Sequence, residues 1–255
     1  MPTATGIGDL TGKVIVVTGG AQGIGGASAR LCAQRGATVV IADWNATTGR
    51  ASADELVAAG YPGMFVQVDV RSPEAVAALM ETVRDAYGRL DVLICAAGVL
   101  LGAFTPPDEM PVEVFDQVID VNLRGVFLCT KYAMPLLDAA GGGVIILVGS
   151  GAGVTGASGS IAYGASKGGV NGYGMTLPRH LTNRNVRVNV IAPGGIATEL
   201  KLGAIAQQAV REGRDADAAK DEAVTQLGDP EGVARVIAFL ASDDAAYVRG
   251  TLYTR

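Results

Sequence analysis

Residues 13–25 read "KVIVVTGGAQGIG", four consecutive apolar β-branched residues running into a cluster of glycines. A strand that is apolar at every position suits a parallel sheet covered on both faces, whereas strict alternation would mark a strand with one wet face. Glycines at the carboxyl end of such a strand let the backbone turn tightly. The free N–H groups at the N-terminus of the helix behind them then favour an anion such as a pyrophosphate. Gly19, Gly23 and Gly25 follow the spacing TGxxxGxG; position 28 is serine, so the commoner GxGxxG is not met. In a chain with 36 glycines such a string alone says little. Its place directly behind the first strand gives it weight.

The same kind of run recurs. "ATVVIAD" (37–43), "MFVQVDV" (64–70), "LDVLICAAG" (90–98), "GVIILVGS" (143–150) and "VRVNVIAPG" (186–194) read as further buried parallel strands. Helix-length stretches separate them, among them "SPEAVAALMETVRDAYG". It opens on Ser72, Pro73 and Glu74, a capping residue followed by proline and an acid in the first turn. "DPEGVARVIAFLASD" (229–243) reads as another capped helix, and a short last strand falls near "TLYT". This alternation predicts an α/β fold with a doubly wound parallel sheet and sites at the carboxyl ends of its strands. No linker, repeat or low-complexity block divides the chain, so one domain over 1–255 is expected. The polar, alanine-rich segment 199–226 is expected to be helical and to act as a lid.

Composition narrows the function classes. Charged residues make up 18% of the 255 and the net charge is −5 with scattered basic residues, which argues against nucleic acid or an anionic membrane as partner. The low charge fraction fits either apolar surface buried between subunits or one large core covered on both faces. The longest apolar run, "VLICAAGVLLGAF", stops at 13 residues, short of a membrane span. "MPTATGIGDLTGK" lacks the basic and apolar regions of a signal peptide, so a cytoplasmic protein is expected. Cys32, Cys95 and Cys129 are widely spaced in apolar surroundings and read as buried reduced thiols, with no metal site.

Asp43 closes the second strand, where a carboxylate can accept both ribose hydroxyls of an adenosine. Its neighbours Gln22, Trp44 and Asn45 are neutral, which favours NAD over a 2′-phosphorylated cofactor. Asp69 ends the third run, either reaching the adenine edge or serving as a polar residue before a helix. Tyr163 and Lys167 stand four apart in "YGASKGGVNGYG" (163–174) and so share a helical face. An ammonium beside a phenol favours the phenolate, drawing it toward the range of a general acid/base. Five of those twelve residues are glycine, each unfavourable in a helix by roughly 1 kcal/mol relative to alanine. Gly164, Gly168 and Gly172 line up beside the Tyr163, Lys167, Asn171 face as a stripe suited to tight packing, on the sheet or on a neighbouring subunit.

Together, TGGAQGIG, Asp43, "VDV", "AAG", "VNLRG", Ser150, YGASK and "RVNVIAPGGIAT" resemble, in order, the single-domain short-chain dehydrogenase/reductase family over nearly the whole chain. The resemblance implies an oxidoreductase interconverting a secondary alcohol and a ketone by hydride transfer. Tyr163 would move the proton, Lys167 would bind the nicotinamide ribose, Ser150 would fix the carbonyl oxygen and Asn122 would support a water-linked proton path. Cofactor contacts are implied at Gly19, Gln22, Gly23, Ile24, Gly25, Asp43, Trp44, Asp69, Val70, Ala97, Gly98, Tyr163 and Lys167. "PGGIAT" adds Pro193, Gly194, Ile196 and Thr198 around the nicotinamide carboxamide. NAD is the expected cofactor and a homotetramer the expected assembly, with dimers less frequent among relatives. Three departures stand out: Cys95 replaces the usual asparagine before "AAG", Pro178 falls inside a helix expected over 163–183, and the chain stops at "RGTLYTR" where relatives continue. Segments at the strand ends, "VLLGAF" (99–104), "GAGVTGASGS" (151–160) and "ELKLGAI" (199–205), are small or apolar apart from Glu199 and Lys201, which are expected to face solvent; this points to a neutral, fairly apolar substrate, with a cyclic one among the candidates. An NADPH ketoreductase of lipid or polyketide type, which Asp43 disfavours, and a non-catalytic dinucleotide-binding regulator are the rival readings.

Overall fold

A computed structural model describes residues 7–254. The start of the N-terminal stretch and the tail at Arg255 lie outside them. Strands β1 (Val14–Thr18), β2 (Thr38–Asp43), β3 (Gly63–Gln67), β4 (Val92–Cys95), β5 (Gly143–Val148), β6 (Val186–Pro193) and β7 (Gly250–Thr254) form one sheet in the order β3-β2-β1-β4-β5-β6-β7, every neighbouring pair parallel. Helices α1 (Gly23–Gln34), α2 (Ala46–Ala58), α3 (Pro73–Tyr87), α4 (Val112–Ile119), α5 (Gly125–Ala139), α6 (Ile161–His180), α7 (Glu199–Arg211), α8 (Ala216–Gln226) and α9 (Pro230–Ala241) cover it.

Successive strand residues leave the sheet by opposite faces, and both faces are buried. Val16, Val40, Leu93, Ile145 and Val190 join a core with α3, α5 and α6; Ile15, Val39, Ile41, Ile94 and Ile146 join a second core with α1, α2 and α9. Two apolar layers explain why the strand runs show no alternation. From β1 the chain winds outward to β2 and β3, then returns to lay β4 on the other side of β1. The connections after β1 and β4 therefore leave toward opposite faces and open a crevice between them.

Local chemistry sets the helix starts. Ser72 accepts from the Ala75 N–H at 3.1 Å with Pro73 behind it, and Asp229 accepts from the Glu231 N–H at 2.9 Å. The segment 199–226 forms two helices, α7 and α8, capped by Thr198 and Asp215. β3 is shorter than its apolar run, because Val68 and Val70 turn into the core after Gln67 while Asp69 stays outside the sheet. Between α4 and α5 the helix widens over Asp120–Arg124, with the Gly125 N–H reaching back five residues to the Asp120 carbonyl. α6 starts two residues before Tyr163 and ends at His180, two residues beyond Pro178, so the proline sits in its last turn.

The glycines of α6 differ in what they meet. A methyl on Gly174 would overlap Val190 Cγ2 on the sheet, and one on Gly169 would lie 2.8 Å from Leu123. Gly164 and Gly168 face the 153–158 loop, with added methyls 3.1 Å from Ser158 Cβ and 3.0 Å from the Gly153 carbonyl. Nothing stands within 4 Å of a methyl on Gly172. The sheet contact thus belongs to Gly174, outside the expected stripe. Gly174→Ala is expected to destabilise by about 1–3 kcal/mol through overpacking against a stiff β-branched residue. Gly172→Ala is expected to stabilise by up to about 1 kcal/mol through helix propensity. Thermal denaturation of the two variants checks both signs.

Candidate active site

The crevice begins at the glycine turn. Gly19 sits at φ 66° and donates its N–H to the Ala42 carbonyl at 2.8 Å. A Cβ there would lie 2.6 Å from the Ala97 backbone N and Cα. A methyl on Gly25 would overlap the Gly19 carbonyl, so α1 can start this close to the turn only without a side chain. Gln22 precedes α1 without capping it, and no acid occupies the first turn. The N–H groups of that turn face the crevice with no side chain competing for them, which fits a pyrophosphate.

Asp43 ends β2 and is buried, its carboxylate oxygens accepting from the Ala21 N–H at 3.2 Å and the Asn45 N–H at 3.1 Å. Those two bonds fix its orientation and leave further lone pairs on both oxygens. Trp44 beside it is 73% exposed. Asp69 is paired with Arg71 at 2.6 Å, and that guanidinium holds its carboxyl below the usual carboxylate range. All four residues, with Val70, border one cavity of about 660 Å³.

At the other end of the same cavity lie Ser150, Tyr163 and Lys167. Ser150 follows β5 and accepts from the Ala152 N–H at 3.1 Å. Ser160 caps α6 by accepting the Tyr163 N–H at 3.2 Å, which sets where the face carrying Tyr163 and Lys167 begins. Lys167 Nζ lies 5.7 Å from the Tyr163 ring centroid and donates to the Val148 carbonyl at 2.8 Å. Burial pushes the Tyr163 phenol above its ordinary range, with the Ser150 hydroxyl pulling it back. This differs from the lowering expected from a neighbouring ammonium. The reason is that Lys167 is itself buried, and its pKa is pushed down to about 8 by the same desolvation.

Asn122 is fully buried within the widened stretch. Its Oδ1 accepts from the Val99 N–H at 2.8 Å, while Nδ2 donates to the Val99 carbonyl at 2.9 Å and to Ser166 Oγ at 3.0 Å. The amide ties the segment after β4 to α6 and does not border the cavity. Ala97 and Gly98 border it on that side, and Gln22, Gly23 and Ile24 on the α1 side. Pro193, Gly194, Ile196 and Thr198 close it below α7. That segment is pinned by Ala197 N–H to the Gly228 carbonyl (2.8 Å) and Gly228 N–H to the Gly195 carbonyl (2.9 Å).

A family profile described as short chain dehydrogenase matches residues 13–209. The chain belongs to the short-chain dehydrogenase family. Members of this family bind a nicotinamide dinucleotide, and the crevice has the form that cofactor needs. The chain is 40% identical over 240 residues to a cis-4-hydroxycyclohexanecarboxylate dehydrogenase of Sinomonas cyclohexanicum, covering 94% of this chain and 93% of the relative. It is 36% identical over 241 residues to a cyclohexanol dehydrogenase of an Acinetobacter species, covering 94% and 92%. A 3-oxoacyl-[acyl-carrier-protein] reductase of Thermotoga maritima is 39% identical over 247 residues, covering 94% and 95%. Among solved structures, levodione reductase superposes with a TM-score of 0.87 at 29% identity, 95% of each chain being covered. Among the described residues, no helix is long and apolar enough to cross a membrane.

Three features of this short-chain dehydrogenase were not read from the sequence. Arg71 borders the cavity near Asp43, although its pairing with Asp69 spends its charge locally. Lys201 borders the cavity half-buried, where an outward-facing side chain was expected, and among the described residues no carboxylate pairs with it. Cys95 lies beside Cys129, and that neighbour together with burial holds its thiol well above the ordinary range.

Lys167 makes a stability prediction. A pKa lowered from 10.5 to about 8 corresponds to about 3 kcal/mol of desolvation in the charged folded state, offset in part by the Val148 hydrogen bond. Between pH 8 and 10.5 the unfolded chain holds this proton and the folded chain does not, so stability rises with pH across that window. Lys167→Met is therefore expected to raise the Tm of the cofactor-free protein by a few degrees at pH 7. The gap should narrow as the pH approaches 10; calorimetry at both values checks it.

Proposed function

We propose that the chain is an NAD-dependent dehydrogenase interconverting a neutral, fairly apolar secondary alcohol and its ketone, with Tyr163 as general acid/base. The observation that carries this reading is that one cavity joins the glycine turn and Asp43 to Ser150, Tyr163 and Lys167. Bound there, a nicotinamide dinucleotide supplies the acceptor for a hydride from the carbinol carbon. Ser150, oriented by the Ala152 N–H, donates its hydroxyl hydrogen to the substrate oxygen. Tyr163 takes the alcohol proton at its phenolic oxygen, and Lys167 holds a ribose hydroxyl and stabilises the phenolate. Asn122 positions the segment after β4 against α6. Gly19, Gly23, Ile24 and Gly25 take the pyrophosphate; Val70, Ala97 and Gly98 line the adenosine and ribose side; Pro193, Gly194, Ile196 and Thr198 take the carboxamide.

The buried Asp43 supports NAD over NADP, because two backbone N–H groups aim its charge where a 2′-phosphate would sit. The relatives named for cyclohexanol and hydroxycyclohexanecarboxylate support an alicyclic substrate. A single domain, with α7 and α8 as a lid over the pocket, completes the proposal, as do a cytoplasmic location and a homotetrameric assembly. One observation favours a second reading of the substrate: Lys201 at the cavity wall, without a carboxylate partner among the described residues, suits a ring alcohol carrying a carboxylate. Comparing kcat/KM for cyclohexanol, cis-4-hydroxycyclohexanecarboxylate, a sugar and an acyl thioester separates the two. A preference for either of the last pair overturns both.

Tyr163→Phe is expected to bind NAD nearly as wild type yet lose roughly 10²–10⁴-fold in kcat, since it removes the proton acceptor. In wild type, alcohol oxidation should rise with pH as the phenol ionises. Retained turnover in the phenylalanine variant would rule the mechanism out. Asp43→Ala is expected to weaken NAD while narrowing its preference over NADP, read from KM for the two cofactors. Equal use of both by wild type contradicts the role given to Asp43.

A further inference from the structure

Phe104, in the segment between β4 and α4, is one of two non-glycine residues with positive φ among the described residues, at 58°. The other, Asn185, is of a type that tolerates this region; a bulky aromatic is not. Hydrogen bonds from one backbone group and two side chains hold the segment in this conformation. The Phe104 N–H donates to the Gly159 carbonyl at 2.6 Å, Ser160 Oγ donates to the Leu101 carbonyl at 2.7 Å, and the Arg211 guanidinium at the end of α7 donates to the Ala103 carbonyl at 2.6 Å. Core packing does not offset the strain, because Phe104 is 56% exposed. It stands at the wall of the cavity that contains Ser150 and Tyr163, against Gly159, where even a methyl would come within 2.8 Å of Cζ.

Ser160 makes the placement specific. The hydroxyl that donates to Leu101 also accepts the Tyr163 N–H at the start of α6. The aromatic wall and the tyrosine helix are thus registered on one buried side chain. A costly backbone conformation, held from several sides to present an uncovered apolar face beside the reactive groups, is the pattern expected of a substrate contact. We propose that Phe104 is a specificity-determining residue whose ring covers the substrate and selects carbocyclic secondary alcohols over acyclic ones. The proposal rests on the alcohol dehydrogenase reading and adds the residue that chooses among alcohols.

Two variants test it. Phe104→Gly removes the ring at a backbone angle glycine adopts freely, so the fold is kept. Gly159→Ala leaves Phe104 in the chain but displaces its ring. With NAD as cofactor, the ratio of kcat/KM for cyclohexanol to that for 2-butanol should fall about tenfold or more in both variants, carried mainly by KM for cyclohexanol. Calorimetric titration with cyclohexanone should show affinity weakened by a similar factor in Phe104→Gly. A ratio within about twofold of wild type in both variants, or an equal loss on both alcohols, overturns the proposal. If wild type oxidised neither alcohol, the activity reading would fail and the titration would still decide: unchanged or absent cyclohexanone binding then overturns the role of Phe104.

Discussion

The carboxyl edge of the sheet depends on two backbone segments meeting with no side chain between them, Gly19 after β1 and Ala97 after β4. These are the adjacent strands from which the chain winds in opposite directions, so their connections must separate toward opposite faces. A crevice arises there whatever the sequence; its depth depends on how closely the two turns approach before they part. With glycine at 19 and 25, α1 begins against the turn and its N–H groups reach the floor of the crevice. A single methyl at either place would push the anion seat away from the wall formed by Ala97 and Gly98.

The position of that wall is then passed on to Tyr163 and Lys167 through buried polar groups. The Asn122 amide pairs with both backbone groups of Val99 in the manner of a neighbouring strand, and its spare hydrogen goes to Ser166. Ser166 in turn donates to the Tyr163 carbonyl at 2.8 Å. The segment after β4 is therefore registered against α6 within one turn of Tyr163 and Lys167. Buried polar networks of this kind fix geometry when every member is satisfied. The helical widening at Asp120–Arg124 belongs to the same device, since it carries Asn122 inward.

The sheet was legible because both of its faces are buried, so apolar runs and glycine turns mark strands and their carboxyl ends without help from tertiary context. Val68–Val70 is the exception: two buried valines around a half-buried acid look like strand whether or not they pair. Tyr163, Lys167, Ser150 and Asp43 were legible as residues because each sits at a fixed offset from a strand end or on one helical face. Their electrostatics were not. Spacing shows that an ammonium neighbours a phenol, but burial, which spacing does not carry, opposes the charged form of both groups. The bonds of Asn122 and the positive φ of Phe104 are equally invisible, because each depends on a segment distant in sequence. Lys201 was read as solvent-facing because a polar residue in a polar helix gives no sign of which cavity its helix borders.

What distinguishes Lys167 among the cations is its depth of burial. Some cations pair with carboxylates, as Lys13 does with Asp243, Arg30 with Glu231 and Arg184 with Asp138, while Arg187 and Arg211 rest on neutral oxygens. Lys167 is more deeply buried than any of these and has only the Val148 carbonyl. A carboxylate there would raise its pKa and fix its charge, but would also occupy the donors that the proposed ribose contact needs. Cys95 fits the same constraint. Although Lys167 favours the thiolate, burial and the Cys129 contact keep the thiol protonated, so the residue at the usual asparagine position brings no countercharge. The site holds its cation on neutral dipoles alone, at a cost in stability that the rest of the fold carries. That cost leaves the remaining ammonium donors free, as the proposed contact with a ribose hydroxyl requires.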